Sequence, residues 1–122
     1  MLVRVKDLVK NYGTFTAIEN LNLEIQKKDI VGLVGPDGSG KTTFFKCLLS
    51  QITYDSGVVE IFDKNMIFNK FDLWNNIGFV SKDMVFFEDF TVKQNIDYYC
   101  GTVVRDKSKR EKYVNEVIDF VK

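Results

Sequence analysis

Histidine is absent from this chain of 122 residues, proline occurs once and cysteine twice. Without an imidazole the common histidine-bearing zinc and acid–base sites are excluded, and Cys47 and Cys100 stand alone with no C-x-x-C pairing. Two isolated thiols predict a reducing compartment rather than a disulfide framework. An excess of one charge is lacking too, because 17 Lys and Arg balance 17 Asp and Glu. That balance removes any global attraction to nucleic acid or to an anionic membrane. No apolar run approaches the roughly 20 residues of a membrane span. The N-terminus, MLVRVKDLVKNYG, alternates charged and apolar residues where a signal peptide would carry a continuous apolar stretch. These features predict an intracellular soluble domain, and a hydrophobic fraction of 45% supplies one core.

What is present is organised by period. Val3 and Val5 alternate with Arg4 and Lys6, and Leu21, Leu23 and Ile25 alternate with Asn22 and Glu24. Both patterns predict half-buried strands, joined by a turn at Tyr12–Phe15 and pairing antiparallel. Ile30–Val34 is apolar at consecutive positions, as expected of a strand covered on both faces. From Lys41 the spacing becomes helical, with Phe44 above Leu48 and Phe45 above Leu49. Strands are expected again at Val58–Phe62 and Ile77–Ser81, separated by a stretch, Lys64–Asn76, with no clear period. Thr91 with Gln94, and Ser108 with Glu111, have the spacing of capping boxes and predict two further helices. In the second of these, Tyr113, Val114, Val117, Ile118 and Val121 share one face.

Between the apolar run and the first helix lies GPDGSGKTT, Gly35–Thr43, which fits G-x-x-x-x-G-K-[ST]. Gly35, Gly38 and Gly40 permit positive φ and place no Cβ where an oxygen must approach. Successive amides then converge on a phosphate at the positive end of a helix. Lys41 is expected between β- and γ-phosphates, acting in catalysis by stabilising charge, with the Thr42 hydroxyl on Mg²⁺. Pro36, Asp37, Ser39 and Thr43 complete the predicted cradle.

The blocks KNYGTFTAIENLNLEI (Lys10–Ile25), GPDGSGKTTFFKCLL (Gly35–Leu49), SGVVEIFDK (Ser56–Lys64) and IGFVSKDMVFFEDFTVKQNI (Ile77–Ile96) occur in this order. Together they resemble the ATP-binding domain of ATP-binding cassette (ABC) transporters. The resemblance implies an α/β fold: a partial P-loop NTPase core with an N-terminal antiparallel β subdomain and the start of a helical subdomain. Residues 1–122 then form one domain, with the β subdomain and P-loop core over about 1–81 and the Q-loop and helical start over about 82–122. It further implies that Tyr12 stacks on adenine and that Ala17 lies beside the base or ribose. Such stacking is worth about 1–3 kcal/mol per base. The implied cofactors are ATP and Mg²⁺. The implied partners are a second nucleotide-binding domain and a transmembrane permease subunit, with no nucleic acid. The implied location is cytoplasmic, at the inner face of the membrane.

One position departs from the family pattern. The glutamine that usually follows the IGFV-like strand is replaced by Lys82, which cannot ligate Mg²⁺. It either turns toward phosphate or faces solvent, and Asp83 is the alternative oxygen ligand for the metal. The Walker B strand, the signature and the switch histidine of the family are missing as well. Val58–Asp63 imitates the first of these, but Glu60 interrupts its apolar run. The chain therefore reads as the N-terminal portion of an ABC ATPase, binding Mg·ATP without turning it over. Two other readings share the blocks: a non-hydrolytic regulatory module, and a soluble ABC protein of translation or DNA repair. Arg105–Lys112 carries five basic residues and reads as a solvated helix start. Phe86 and Phe87, in an aromatic-rich loop, are either partner-facing or local core.

Overall fold

A computed structural model describes all residues, Met1–Lys122. They divide into two compact units, Met1–Ile77 and Gly78–Lys122.

In the first unit the alternating segments form strands β1 (Val3–Tyr12) and β2 (Phe15–Ile25), with Gly13 at φ 59 in the turn between them. They pair antiparallel with Val3 opposite Ile25 and Val5 opposite Leu23, so the apolar positions coincide on one face. Strand β3 (Ser56–Ile61) pairs antiparallel with the other edge of β1, and the short β4 (Lys64–Asn65) closes the order β2-β1-β3-β4. Gly57, at φ 100, is required here, since a Cβ would lie 2.6 Å from the Asp7 carbonyl oxygen and the Leu8 Cα. Val5, Leu8, Ile18, Val59 and Ile61 are buried with Phe44 and Cys47 of helix α1 (Lys41–Leu48). Met66 and Leu73 of α2 (Met66–Trp74) complete this core.

Two expected strands do not form. Ile30–Val34 and Ile77–Ser81 run without ladder hydrogen bonds, and Ile30 and Val34 are almost fully exposed. A central strand needs a neighbour on each side, and no strand of this chain pairs with either segment. The stretch without a clear period, Lys64–Asn76, becomes β4 and α2. The Asn65 side chain accepts from the Ile67 amide at 3.0 Å and caps the helix, and the Trp74 indole donates to the Leu49 carbonyl at 2.9 Å. In α1 the paired aromatics separate, with Phe44 buried and Phe45 half exposed.

The second unit holds α3 (Val92–Gly101) and α4 (Lys107–Val121). The expected box at α3 is complete: the Gln94 amide donates to Thr91 Oγ1 and the Thr91 amide to Gln94 Oε1. At α4 the cap is Asp106 rather than Ser108, because the Asp106 carboxylate accepts from the Lys109 amide at 2.9 Å. A carboxylate there also suits the positive end of the helix. Of the face expected to be buried on α4, Val114 is buried while Tyr113, Val117 and Val121 are exposed. Arg110 pairs with Asp97 of α3 at 3.0 Å, which takes one member of the basic run into helix packing.

Candidate functional site

The glycine-rich loop enters α1 through Gly40, whose φ of 93 and ψ of 7 are left-handed, and no side chain caps the helix. The first-turn amides therefore have no partner inside the helix and remain free to donate. A Cβ on Gly40 would lie 2.6 Å from the carbonyl oxygen of Ala17. Ala17 reaches the loop because the register shifts between the pairs Lys10–Ile18 and Asn11–Thr16. It is the extra residue of a bulge in β2, and such a residue bends the strand and redirects its backbone.

Lys41 folds back into the loop that precedes it. Its ammonium donates to the Gly35 carbonyl at 2.5 Å, to the Pro36 carbonyl at 2.7 Å and to Ser39 Oγ at 3.2 Å. The Ser39 amide donates to the Pro36 carbonyl at 3.2 Å, tightening the same turn. A Cβ on Gly35 would meet Ser39 Oγ at 2.7 Å, so a side chain there would have to displace that hydroxyl. Asp37 and Gly38 are exposed in the loop, Thr42 is exposed, and Thr43 is half-buried in the first turn of α1.

Tyr12 ends β1 opposite Phe15 and is 49% exposed, with the ammonium of Lys10 at 4.9 Å from its ring centroid. Asp55 ties down this end of β1, since its carboxylate accepts from the Asn11 amide at 2.6 Å and its own amide donates to the Val9 carbonyl at 2.9 Å. Behind the site, burial pushes the Cys47 thiol up, with Lys10 opposing and Asp55 adding to the effect.

In the first unit Ala17 meets the loop Gly35–Thr43 at Gly40, and Tyr12 lies near the turn of the same hairpin. Lys10 and Asp55, at the Tyr12 end of β1, were not singled out by the motif. Only the K-x-Y spacing hinted at Lys10, through strand alternation. Lys82 and Asp83 belong to the second unit, where both are exposed in a turn closed by the Met84 amide on the Ser81 carbonyl at 3.2 Å. Phe86 is 65% exposed, whereas Phe87 packs at 5.0 Å from Phe90 and 4.8 Å from Tyr98, ring centre to ring centre. Asn95 holds that loop: its side chain accepts from the Phe87 amide and donates to the carbonyls of Phe87, Phe90 and Thr91. No helix of the chain is long and apolar enough to cross a membrane.

Comparison with known proteins gives the family and the likeness of fold. The family model described as "ABC transporter" matches residues 18–121. An uncharacterized ABC transporter ATP-binding protein, YcbN of Bacillus subtilis (strain 168), is 30% identical over 98% of this chain and 38% of its own length. The bacitracin transport ATP-binding protein BcrA of Bacillus licheniformis is 34% identical over 78% of this chain and 31% of its own. Among solved structures, the dimeric post-hydrolysis ATP-binding cassette MJ0796, bound to ADP and Pi, superposes with a TM-score of 0.74 at 24% identity. It covers 94% of this chain and 55% of that one, and shows the likeness of fold. The chain thus spans between about a third and two fifths of the length of these two curated relatives. With this loop, this hairpin and a family match over most of its length, the chain belongs to the ABC transporter ATP-binding family.

Proposed function

We propose that the chain is part of the ATP-binding subunit of an ABC transporter, and that it holds Mg·ATP between the Tyr12 hairpin and the loop Gly35–Thr43. The observation carrying this reading is the junction of Gly40 with Ala17, which sets the unpaired amides of α1 beside the β1–β2 hairpin. Those amides and the glycine backbone fit an anionic oxygen cluster. In this reading the ammonium of Lys41 leaves the Gly35 and Pro36 carbonyls for the β- and γ-phosphates. Both ends of that exchange are charge-assisted hydrogen bonds, so the loop changes partners rather than losing them. Tyr12 stacks on the adenine with Ala17 at its side, and Ser39 and Thr43 add hydroxyl contacts to the phosphates.

Mg²⁺, when bound, would neutralise charge on the phosphate oxygens, with the Thr42 hydroxyl as its proposed ligand. The Walker B aspartate and the catalytic glutamate of the family pattern have no counterpart in this sequence, so in this reading the chain binds nucleotide with essentially no turnover. Hydrolysis then belongs to an assembly with a second nucleotide-binding domain, and transport to one with a membrane permease at the cytoplasmic face. BcrA, by name a bacitracin transport protein, and the dimeric MJ0796 cassette support both partners.

The test is a calorimetric titration of the chain with ATP, with and without Mg²⁺, alongside a phosphate-release assay. Saturable binding that Mg²⁺ strengthens, and that Lys41→Ala removes, is expected, without phosphate release. An unchanged affinity in Lys41→Ala overturns the assignment of the loop, and steady release abolished by Lys41→Ala overturns the absence of turnover.

A further inference from the structure

The ring of Tyr12 is not free on both sides. Lys10 precedes it by two residues on β1, so the two side chains leave the same face of the strand. The extra residue of the neighbouring bulge lies on β2, and the alternation of β1 is kept through Lys10, Asn11 and Tyr12. The Lys10 ammonium sits 4.9 Å from the ring centroid, within the range of a cation–π contact, and makes no ion pair. The strand beneath it is fixed on both sides of Lys10 by Asp55, through the Asn11 amide and the Val9 carbonyl. A long side chain on a pinned backbone is thus held over an exposed aromatic ring.

We propose that Lys10 is a positioning residue for base recognition: it covers and orients one face of Tyr12 and leaves the other as the single surface on which a purine base stacks. This rests on the assignment of Tyr12 given above. Two physical consequences follow. A ring held in one orientation loses less freedom when a base arrives, which favours binding. And the contribution acts through the ring, so it belongs to the base and not to the phosphate chain. The alternative, in which Lys10 attracts the phosphates as a nearby positive charge, has a footing as well, because Lys10 also acts on the Cys47 thiol of α1. The two differ in what they discriminate.

The experiment measures affinities of the 122-residue chain for Mg·ATP and for magnesium tripolyphosphate, which has the phosphates and no base. Variants are Lys10→Met, Lys10→Arg, Tyr12→Ala and the Lys10→Met/Tyr12→Ala double variant. Lys10→Met is expected to weaken ATP binding about three-fold, the size of an exposed cation–π contact, and to leave tripolyphosphate unchanged. Lys10→Arg, whose guanidinium also stacks on a ring, keeps the wild-type affinity. In the Tyr12→Ala background Lys10→Met has no further effect. An equal loss for ATP and tripolyphosphate, an additive double variant, or an ATP affinity untouched by Lys10→Met each overturns the proposal. If Tyr12→Ala leaves ATP binding intact, the assignment of Tyr12 itself fails and the proposal with it. If wild-type protein binds neither ligand, the loop assignment falls too.

Discussion

The carbonyl oxygen of Ala17 lies where a side chain on Gly40 would have to begin, 2.6 Å from the position of its Cβ. One backbone atom of a strand therefore forbids every side chain at the entrance to α1. Gly40→Ala combines this clash with a left-handed φ of 93. It is expected to cost about 1–3 kcal/mol of stability, read by chemical denaturation, and to abolish nucleotide binding. Gly57→Ala, which meets three backbone atoms of β1 at 2.6–2.7 Å, is expected to destabilise at least as much and to act on folding alone.

The ammonium of Lys41 is shared among two carbonyls and a hydroxyl of its own loop. Removing the weakest of these by Ser39→Ala loosens the lysine in the free protein but also deletes a proposed phosphate contact. A net hydrogen bond is worth about 0.5–1.5 kcal/mol, so the affinity for ATP is expected to change less than ten-fold. Lys41→Ala removes the charge and is expected to lose more than ten-fold. Calorimetry on the two variants side by side checks the order.

Cys47 gives stability a dependence on pH. Its thiol is fully buried, and desolvation raises its pKa above the ordinary 9.0 against the pull of Lys10. A thiol that holds its proton more tightly when folded stabilises the fold fully below the unfolded pKa. That contribution is lost as pH rises through the folded value. Unfolding free energy should therefore decline above about pH 8.5–9 and decline less steeply in Cys47→Ala. Denaturation curves of both proteins between neutral pH and pH 10 measure the difference. A rise with pH would contradict the assignment.

Asn95 fixes the aromatic loop of the second unit through four hydrogen bonds to backbone groups of Phe87, Phe90 and Thr91. Asn95→Leu is expected to cost about 1–3 kcal/mol, since part-buried backbone groups lose their partners. Faster amide exchange at Phe87 would accompany it. The expected readout is local, with ATP affinity in the first unit unchanged.

Much of this was legible in the residues. Alternation marked β1, β2 and their antiparallel pairing, while the register, which shifts three times, was not legible there. The loop and the start of α1 followed from the glycines and Lys41. The strands expected at Ile30–Val34 and Ile77–Ser81 were not found, because apolarity marks a segment that wants covering but does not supply the cover. Asp106 was missed as a cap because Ser108 with Glu111 imitates the box two residues later, while a carboxylate nearer the helix start does the work. Lys10 and Asp55 carried no motif, and their contacts at the end of β1 depend on a fold that brings sequence-distant segments together.

Ala17 has one more effect. A strand counts its side chains in twos, and β2 loses count twice, between Leu21 and Ile18 and again at Ala17, so the tip of the hairpin regains the parity of the stem that Ile18 had left. Deleting Ala17 would make the pairs Lys10–Ile18 and Asn11–Thr16 consecutive and take away the carbonyl that meets Gly40. For this hairpin a shortened strand would be more regular and less useful, and insertions or deletions should be tolerated at Gly13–Thr14 long before they are tolerated here.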